Sequence, residues 1–459
     1  MYLASHPILA CEEAKQLEES LFRHDELREW AAMQQAGAAV AAAVLRDFEE
    51  IGGFPESGRL LVLVGKGHNG GDALIAARNI LHHFPAATAH VMFVFGERAL
   101  RPLAARAWRE LSHGNVSVLG RKALPQAEDS DAAYALCLDG IFGFQFCPPA
   151  EPRVAKLIDQ ANVLPIRLRA AVDLPSAGLF RADFTYATGS VKAPVFDGHA
   201  AGRVRYLDLG FFGPDVPGHR RVLLPAVLSP LAKLRSPDSD KRSYGHLFVL
   251  GGSRSYPGAV LMAVLSALRT GVGLVTAFIP ESLVPAYAAR APEAMWVGWP
   301  ETPAGGLALE GLSLLRERVE RADALLMGPG ISRDAETAAL IAEIVKTIPL
   351  PAVLDADALQ PKIIAAAKAH LVLTPHAGEF ARIAGNATLE EFAAQGARTV
   401  VLKGPITRIA SSGNSPAAEE GGVPRVRTYH SFHGGPVLAR GGSGDLLAGV
   451  VGGLLAQSP

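Results

Sequence analysis

Short apolar runs that stop on glycine, proline or a carboxylate recur along this chain, and each leads into a stretch with helical spacing. Residues 59–65 (RLLVLVG) are the clearest case. They are apolar without alternation, as a strand covered on both faces of a parallel sheet must be. Lys66-Gly67-His68-Asn69-Gly70-Gly71-Asp72 follows, then a helical pattern over residues 73–82. Further runs occupy residues 90–95, 134–138 before Asp139, and 170–173 before Leu174-Pro175-Ser176. The pattern restarts at residues 246–251 and continues through runs ending at Gly328-Pro329-Gly330, Asp355-Ala356-Asp357, Thr374-Pro375-His376 and Lys403-Gly404. Strands alternating with helices imply parallel sheets with right-handed crossovers, so the expected fold class is α/β with two doubly wound sheet domains.

A chain of 459 residues exceeds one ordinary core. Between residues 213 and 241 stand Pro214, Pro217, Pro225, Pro230 and Pro237, a composition that reads as an extended linker. The expected division is residues 1–221 and 222–459. Ahead of the first strand, Leu17, Leu21, Leu27, Met33, Val40, Val44 and Phe48 recur at helical spacing, with a joint expected near Gly37.

The formal net charge of −1, without a Lys/Arg run, gives no field for nucleic acid or an anionic membrane, and neither partner is expected. Cys11, Cys137 and Cys147 match no metal spacing and leave one out of any disulfide scheme, which fits a reducing cytoplasm. Glu12 and Glu13 stand where a signal peptide is basic, and no apolar stretch of about 18 residues occurs, so a soluble, unexported protein is expected.

In doubly wound sheets, ligands bind beyond the carboxyl ends of the strands. Asn69 to Asp72, Asp139, and Asp173 with Ser176 fall there and are expected to converge on one crevice. Neither a GxGxxG dinucleotide fingerprint nor a GxxxxGK[ST] phosphate loop is present. Near the end, residues 439–449 (ARGGSGDLLAG) put a glycine-dense turn before a helical pattern, where backbone amides and the helix dipole favour an anion. Asp445 on that first turn suits proton abstraction or metal contact. The bland counterpart is a helix-capping Asp445 with glycines that only turn the chain. Lys403 either supports a ligand or ends a strand. His376 and Glu379 are either functional or caps.

GKGHNGGDALIAAR, Asp139 with Ile141-Phe142-Gly143, AVDLPSAGL, Met33-Gln34-Gln35-Ala36-Gly37, Thr185 and Lys192 resemble the NAD(P)H-hydrate epimerase domain, over about residues 10–215. The resemblance implies a Rossmann-like domain with K+ held by Asn69, Asp139 and Ser176. It also implies a hydrated nicotinamide bound by His68, Asn69, Gly70, Gly71, Asp72 and Asp173. An anionic Asp173 stabilises a cationic iminium as the hydroxyl leaves, and shuttles protons as water returns to the other face. His68, Ala73, Phe144-Gln145-Phe146 and Ala177 depart from the family's GxGNNGGDG, DAxFGTG and DxPSG. Their added bulk predicts reduced epimerase activity.

The order GGSxxYPGA, PE, GPG, DADAL, TPHxGEF, LKGxxT, GGSGD resembles the ADP-dependent NAD(P)H-hydrate dehydratase, a ribokinase-like fold, over about residues 240–457. It implies hydrate binding by Ala259, Gly330, His376 and Asp445. Nucleotide binding then falls to Lys403, Gly404, Pro405, Ile406, Thr407, Gly442, Ser443 and Gly444. ADP (or ATP) with Mg2+ supplies the phosphoryl group, Asp445 takes the hydroxyl proton, and phosphate leaves from the ring. Together the halves resemble the bifunctional NAD(P)H-hydrate repair enzymes, acting on NADHX and NADPHX. The alternative is a ribokinase-like small-molecule kinase with a non-catalytic N-terminal binding module. Arg440 stands where the family has a small or hydroxyl residue, within reach of a phosphate or snorkelling. Because the family continues past the position of Pro459, an exposed apolar surface covered in a homo-oligomer is expected.

Overall fold

A computed structural model of the protein describes residues 3–112, 115–120, 124, 133–213, 216–412 and 426–457. The chain forms two compact units, Met1–Gly218 and His219–Pro459.

The first unit runs β1 (Ser5–Leu9), α1 (Cys11–Phe22), α2 (Glu26–Phe48), β2 (Arg59–Val64), α3 (His68–His83), β3 (Thr88–Phe93) and α4 (Pro102–Leu111). It continues with β4 (Val116–Val118), β5 (Tyr134–Gly140), α5 (Pro152–Val163), β6 (Ile166–Val172), β7 (Phe184–Thr188), β8 (Val191–Lys192) and β9 (Arg203–Leu207). Seven of these strands pair in parallel in the order β4-β3-β2-β5-β6-β7-β9. The period of two along β2 divides the core. Leu60, Val62 and Val64 pack with α2, α3 and α4, while Leu61 and Leu63 pack on the other face with α5. Strand order reverses between β2 and β5, which opens a crevice at their carboxyl ends.

Two local expectations are corrected. The break between the first helices lies at Arg23 and His24, both in left-handed backbone (φ 50° and 58°), and Asp25 caps α2 by accepting from the amides of Leu27 and Arg28. Gly37 is no joint. It sits inside α2, where a Cβ would stand 2.5 Å from Ile75 Cγ2, so its absence lets α2 lie close on α3. Likewise α3 begins at His68 and not at residue 73, so Asn69 to Asp72 form its opening turns. Glycine's poor intrinsic helix propensity hides this start, which packing enforces. A Cβ on Gly70 would stand 2.6 Å from Gly65 O, and one on Gly71 2.6 Å from Met33 Sδ.

The second unit runs β10 (Arg220–Leu223), β11 (His246–Leu250), α6 (Pro257–Arg269), β12 (Leu274–Pro280), α7 (Val284–Arg290), β13 (Met295–Trp299), α8 (Leu312–Arg316), β14 (Ala324–Met327) and α9 (Ala335–Thr347). Then come β15 (Ala352–Leu354), α10 (Pro361–Ala366), β16 (Leu371–Leu373), α11 (Ala377–Ala384), α12 (Leu389–Ala394), β17 (Arg398–Leu402), β18 (Thr407–Ser411), β19 (Arg427–Ser431) and α13 (Ser443–Gln457). Its strand order is β13-β12-β11-β14-β15-β16-β17-β18-β19-β10, parallel up to β17 and antiparallel on both sides of β18. The order reverses between β11 and β14. Here too alternate residues face opposite cores: Phe248 and Leu250 towards α9, α10 and α12, Leu247 and Val249 towards α6 and α13. Residues 220–223 are therefore not linker. Pro217 and Pro225 flank a strand that pairs in parallel with β19, and Val222 is buried.

Helix α13 lies on α6 through a glycine seam. A Cβ on Gly449 would stand 2.1 Å from both Ala263 O and Ser266 Oγ, and one on Gly453 2.4 Å from Thr270 Oγ1. Backbone therefore meets backbone. Gly449→Ala is expected to lower the stability of this unit by about 1–3 kcal/mol through overpacking, despite alanine's better helix propensity. Thermal unfolding checks this against Gly258→Ala, where no heavy atom lies within 4 Å of the added methyl and stability is expected to hold.

Candidate active sites

A cavity of about 530 Å³ lies in the first unit, with Asn69 after β2 and Ile141 after β5 on its wall beside Glu18, Asp72, Asp173 and Lys192. Phe144 and Phe146 also line it. Phe142 and Phe146 stack with centroids 4.2 Å apart, and the Lys192 ammonium lies 5.1 Å from the Phe144 centroid. The rings furnish a wall without filling the crevice.

Asp173 follows β6 in left-handed backbone (φ 66°), a conformation aspartate adopts more readily than most residues. Lys192 Nζ donates to Asp173 Oδ1 at 2.5 Å and to Thr188 O at 2.9 Å, and both charged side chains are buried. Below the cavity, Asp139 Oδ1 accepts from Ser176 Oγ at 2.6 Å, and Oδ2 accepts from Ser176 N at 2.8 Å. Burial pushes the Asp139 carboxyl up to about 6, and the hydrogen bonds from Ser176 and Ile141 oppose the rise. Asn69 Nδ2 donates to Phe142 O at 2.8 Å, and Phe142 N donates to Ser176 Oγ at 2.9 Å. Asn69, Asp139 and Ser176 thus gather around the Ile141-Phe142 backbone. An amide, a carboxylate and a hydroxyl oxygen form a donor set suited to a hard cation such as K+.

Of the remaining expected contacts, His68 is half-exposed, with Nε2 3.6 Å from Glu29 Oε2. Its pKa is lowered by desolvation and by Arg101, against the pull of Glu29. Gly70 and Gly71 pack against Gly65 and Met33 instead of lining the cavity. Asp72 is buried, and desolvation first, then Asp173 and Glu18, raise its carboxyl well above the usual range. Sequence reasoning did not single out Glu18. Its signal is positional: Cys11, Ala14, Glu18 and Phe22 share one face of α1.

In the second unit, Asp445 lies in the first turn of α13 and is half-buried. Desolvation raises its pKa most, Asp355 adds to the rise, and Lys403 opposes it. Lys403 Nζ donates to Asp355 Oδ1 at 3.0 Å, and Thr374 Oγ1 donates to the same oxygen at 2.8 Å. A Cβ on Gly444 would stand 3.4 Å from Lys403 Nζ and 3.9 Å from Asp355 Oδ2, so this glycine lets the start of α13 approach the pair. Asp355 entered the sequence reading only as the end of a strand, because its partners are distant in sequence. Residues 403–406 turn between β17 and β18, and Lys403 N donates to Pro375 O at 2.8 Å, which brings the loop beside His376.

His376 caps α11. Its Nδ1 accepts from Gly378 N at 3.0 Å and Glu379 N at 3.3 Å, while Glu379 Oε2 accepts from His376 N at 2.8 Å. An accepting Nδ1 places the proton of the neutral ring on Nε2, which is 3.6 Å from Glu379 Oε1 on an exposed side chain. Gly330 (φ 70°) follows β14, and a Cβ there would stand 2.4 Å from Tyr256 O and 3.1 Å from Ala259 Cβ. Ala259 and Gly330 thus adjoin at the β11/β14 switch point. Gly442 (φ 85°) abuts Met262, and Arg440 is exposed with no ion-pair partner among the described residues. Nor do those residues hold a group of three or more His, Cys, Asp or Glu able to bind a metal ion.

Residues 247–459 match a family model described as NAD(P)H-hydrate dehydratase, and residues 30–195 match that of the YjeF-related protein N-terminus. The two matches define a two-unit α/β protein that joins these modules in one chain. A bifunctional NAD(P)H-hydrate repair enzyme Nnr from Moorella thermoacetica is 32% identical over 93% of this chain and 83% of its own length. The enzyme of that name from Gloeobacter violaceus is 35% identical over 99% of this chain and 90% of its own. This chain belongs to the family of bifunctional NAD(P)H-hydrate repair enzymes. Among solved structures, an ADP/ATP-dependent NAD(P)H-hydrate dehydratase from Bacillus subtilis, co-crystallised with ATP and Mg2+, is 27% identical. It covers 54% of this chain and 84% of that one, with a TM-score of 0.43.

Lys192→Met leaves Asp173 as a buried, unpaired charge and is expected to cost about 3–5 kcal/mol. The double variant with Asp173→Asn is expected to recover part of that loss. Urea unfolding of the four proteins of this cycle checks both outcomes.

Proposed function

We propose that this chain repairs damaged nicotinamide cofactors, returning the hydrates of NADH and NADPH to the reduced forms. The second unit dehydrates the S hydrate at the expense of a nucleotide, and the first exchanges the R and S hydrates. The observation that supports the reading best is the meeting of Asp445, Lys403 and Gly444 at the start of α13, in a chain matched along its length by repair enzymes.

The chemistry follows from these groups. A ring hydroxyl leaves poorly as hydroxide but well as phosphate. Asp445 takes the hydroxyl proton while that oxygen attacks the terminal phosphoryl group, and its raised pKa helps it hold the proton. The backbone amides of Gly442 to Gly444 at the start of α13, with Lys403, face the charge on the transferring group. The ring nitrogen's lone pair then expels phosphate to give a C=N cation, and loss of a proton from the adjacent ring carbon to solvent returns the pair to nitrogen and re-forms the C=C bond. Mg2+ would enter on the nucleotide phosphates and lessen their charge, with Asp355 and Asp445 the nearby carboxylates; one or two suffice for a phosphate-carried ion. In the first unit, K+ held by Asn69, Asp139 and Ser176 would supply the charge that keeps the buried Asp139 ionised. Asp173, with Lys192, faces the ring as the hydroxyl departs.

The roles carried from the family's motifs stay with the residues named above: Ala259, Gly330, His376 and Asp445 for the hydrate, residues 403–407 and 442–444 for the nucleotide. We infer ADP as the donor, and a domain division at Gly218–His219, three residues before the 221/222 boundary expected from the sequence, so that β10 stays whole in the second unit. The three free cysteines accord with a cytoplasmic protein. Leu446 and Val450 remain exposed on α13, an apolar strip that a homo-oligomer would cover.

S-hydrate incubated with Mg2+ and ADP, or ATP in a parallel arm, is expected to regain reduced-nicotinamide absorbance with release of phosphate. Asp445→Asn is expected to lower that rate by about 10²–10⁴-fold. Full activity of this variant would refute the proton-acceptor role, and a stable phosphorylated product would establish a kinase instead. The pH profile has a definite sign. Because Asp445 acts ionised, the rate falls as pH drops through its pKa. Removing the Asp355 charge lowers that pKa, so Asp355→Asn should move the acid limb to lower pH, as rates across a pH series will reveal.

A further inference from the structure

The cavity of the first unit holds a carboxylate that neither the sequence motifs nor the Asp173–Lys192 pair accounts for. Glu18 projects from α1 on the face shared by Cys11, Ala14 and Phe22, and lines the cavity together with Phe22, Asp72, Asp173 and Lys192. It takes no hydrogen bond or ion-pair partner among the described residues, although the protein half-buries it. A long, half-buried glutamate left without a partner among charged groups is poised for a ligand and not for the fold.

We propose that Glu18 is the group that gives a proton to the departing hydroxyl of the hydrated ring and takes one back from the returning water. This rests on the epimerase reading of the first unit. The step balances. Glu18, protonated, gives its proton to the hydroxyl oxygen, the C–O bond breaks, and water leaves with the electron pair. The ring nitrogen's lone pair closes the C=N bond, and the cation so formed faces the Asp173 carboxylate. Water then adds to the opposite face, its oxygen forms the new C–O bond, the C=N pair returns to nitrogen, and Glu18 recovers the proton.

The other two carboxyls on the wall suit the task less well. Asp173 already accepts from the buried Lys192 ammonium at 2.5 Å, so its charge is committed to that pair. Asp72 is buried, and desolvation raises its carboxyl well above the usual range, which works against the charged form that a proton acceptor needs. Glu18 is pushed up to about 7 by burial; Asp173 and Glu29 add to the rise, and Lys192 opposes it. A group divided between acid and base at working pH can both give and accept. The charged groups that face it are Lys192, Asp173, Glu29 and Asp72, and they come from other elements than its own helix.

Exchange of R and S hydrate is measured with the full chain across a pH series, against the spontaneous rate. Glu18→Gln is expected to slow exchange by about 10²–10⁴-fold while the KM for the hydrate changes little, and to remove the inflection near pH 7. Exchange at the wild-type rate by this variant overturns the proposal. No exchange by the wild-type chain overturns the epimerase reading instead. Should Glu18→Gln fail to fold, Glu18→Ala with added formate provides the second arm. Recovery of exchange in that variant, beyond the formate effect on wild type and on the free hydrate, supports proton transfer at this position; its absence in a folded protein counts against it.

Discussion

Each unit holds an aspartate in apolar surroundings at the carboxyl end of a parallel strand, and in each a lysine makes that possible. Asp173 is met by Lys192, and Asp355 by Lys403 with Thr374. An isolated carboxylate in such a place would take up a proton or disrupt the strand end. The lysine supplies the carboxylate's partner and fixes where it points. Lys192 also lies over the Phe144 ring on the cavity wall and Lys403 beside Gly444 at the start of α13, so the pair that stabilises each strand end also sets the local field there.

The two sheets were readable in the chain because their strands are covered on both faces. Residues 59–65 and 246–251 leave little choice but a buried parallel strand, and the clusters at the strand ends fall where doubly wound topology puts ligands. What stayed hidden has a common physical cause. The opening turns of α3 and the unbroken path of α2 through Gly37 depend on how closely two backbones approach, and glycine writes that only as a missing side chain. The strand at 220–223 was masked by the prolines around it. Asp355 and Glu18 gain their meaning from neighbours far away in sequence. Lys403 is 48 residues from Asp355, and Glu18 meets Asp173 and Lys192 only when α1 folds over the cavity.

His376 and Glu379 carry the capping half of their two readings. His376 and Glu379 form a reciprocal cap at the start of α11, and the cap itself fixes the tautomer that leaves Nε2–H on an exposed ring. A helix start is where backbone amides, caps and ligands compete for the same space, so a cap at this position stands where a ligand would also be received. Gly70 and Gly71 show the reverse. Counted among ligand contacts from their motif, they serve the close packing of α3 on β2 and Met33, which holds Asn69 and Asp72 at the wall.

The glycine seam between α6 and α13 bears on more than stability. Ala259 lies in the first turn of α6 and Asp445 in the first turn of α13, so the seam joins two arms of a caliper whose tips are a proposed substrate contact and the proposed base. Because Gly449 and Gly453 let α13 approach the main chain of α6 at Ala263 and Ala267, with only the short side chains of Ser266 and Thr270 between, the opening between the tips is set mostly by backbone. Reactivity in such a design is tuned from about one turn (Gly449) to two turns (Gly453) away, by substitutions that touch neither the hydrate nor the nucleotide.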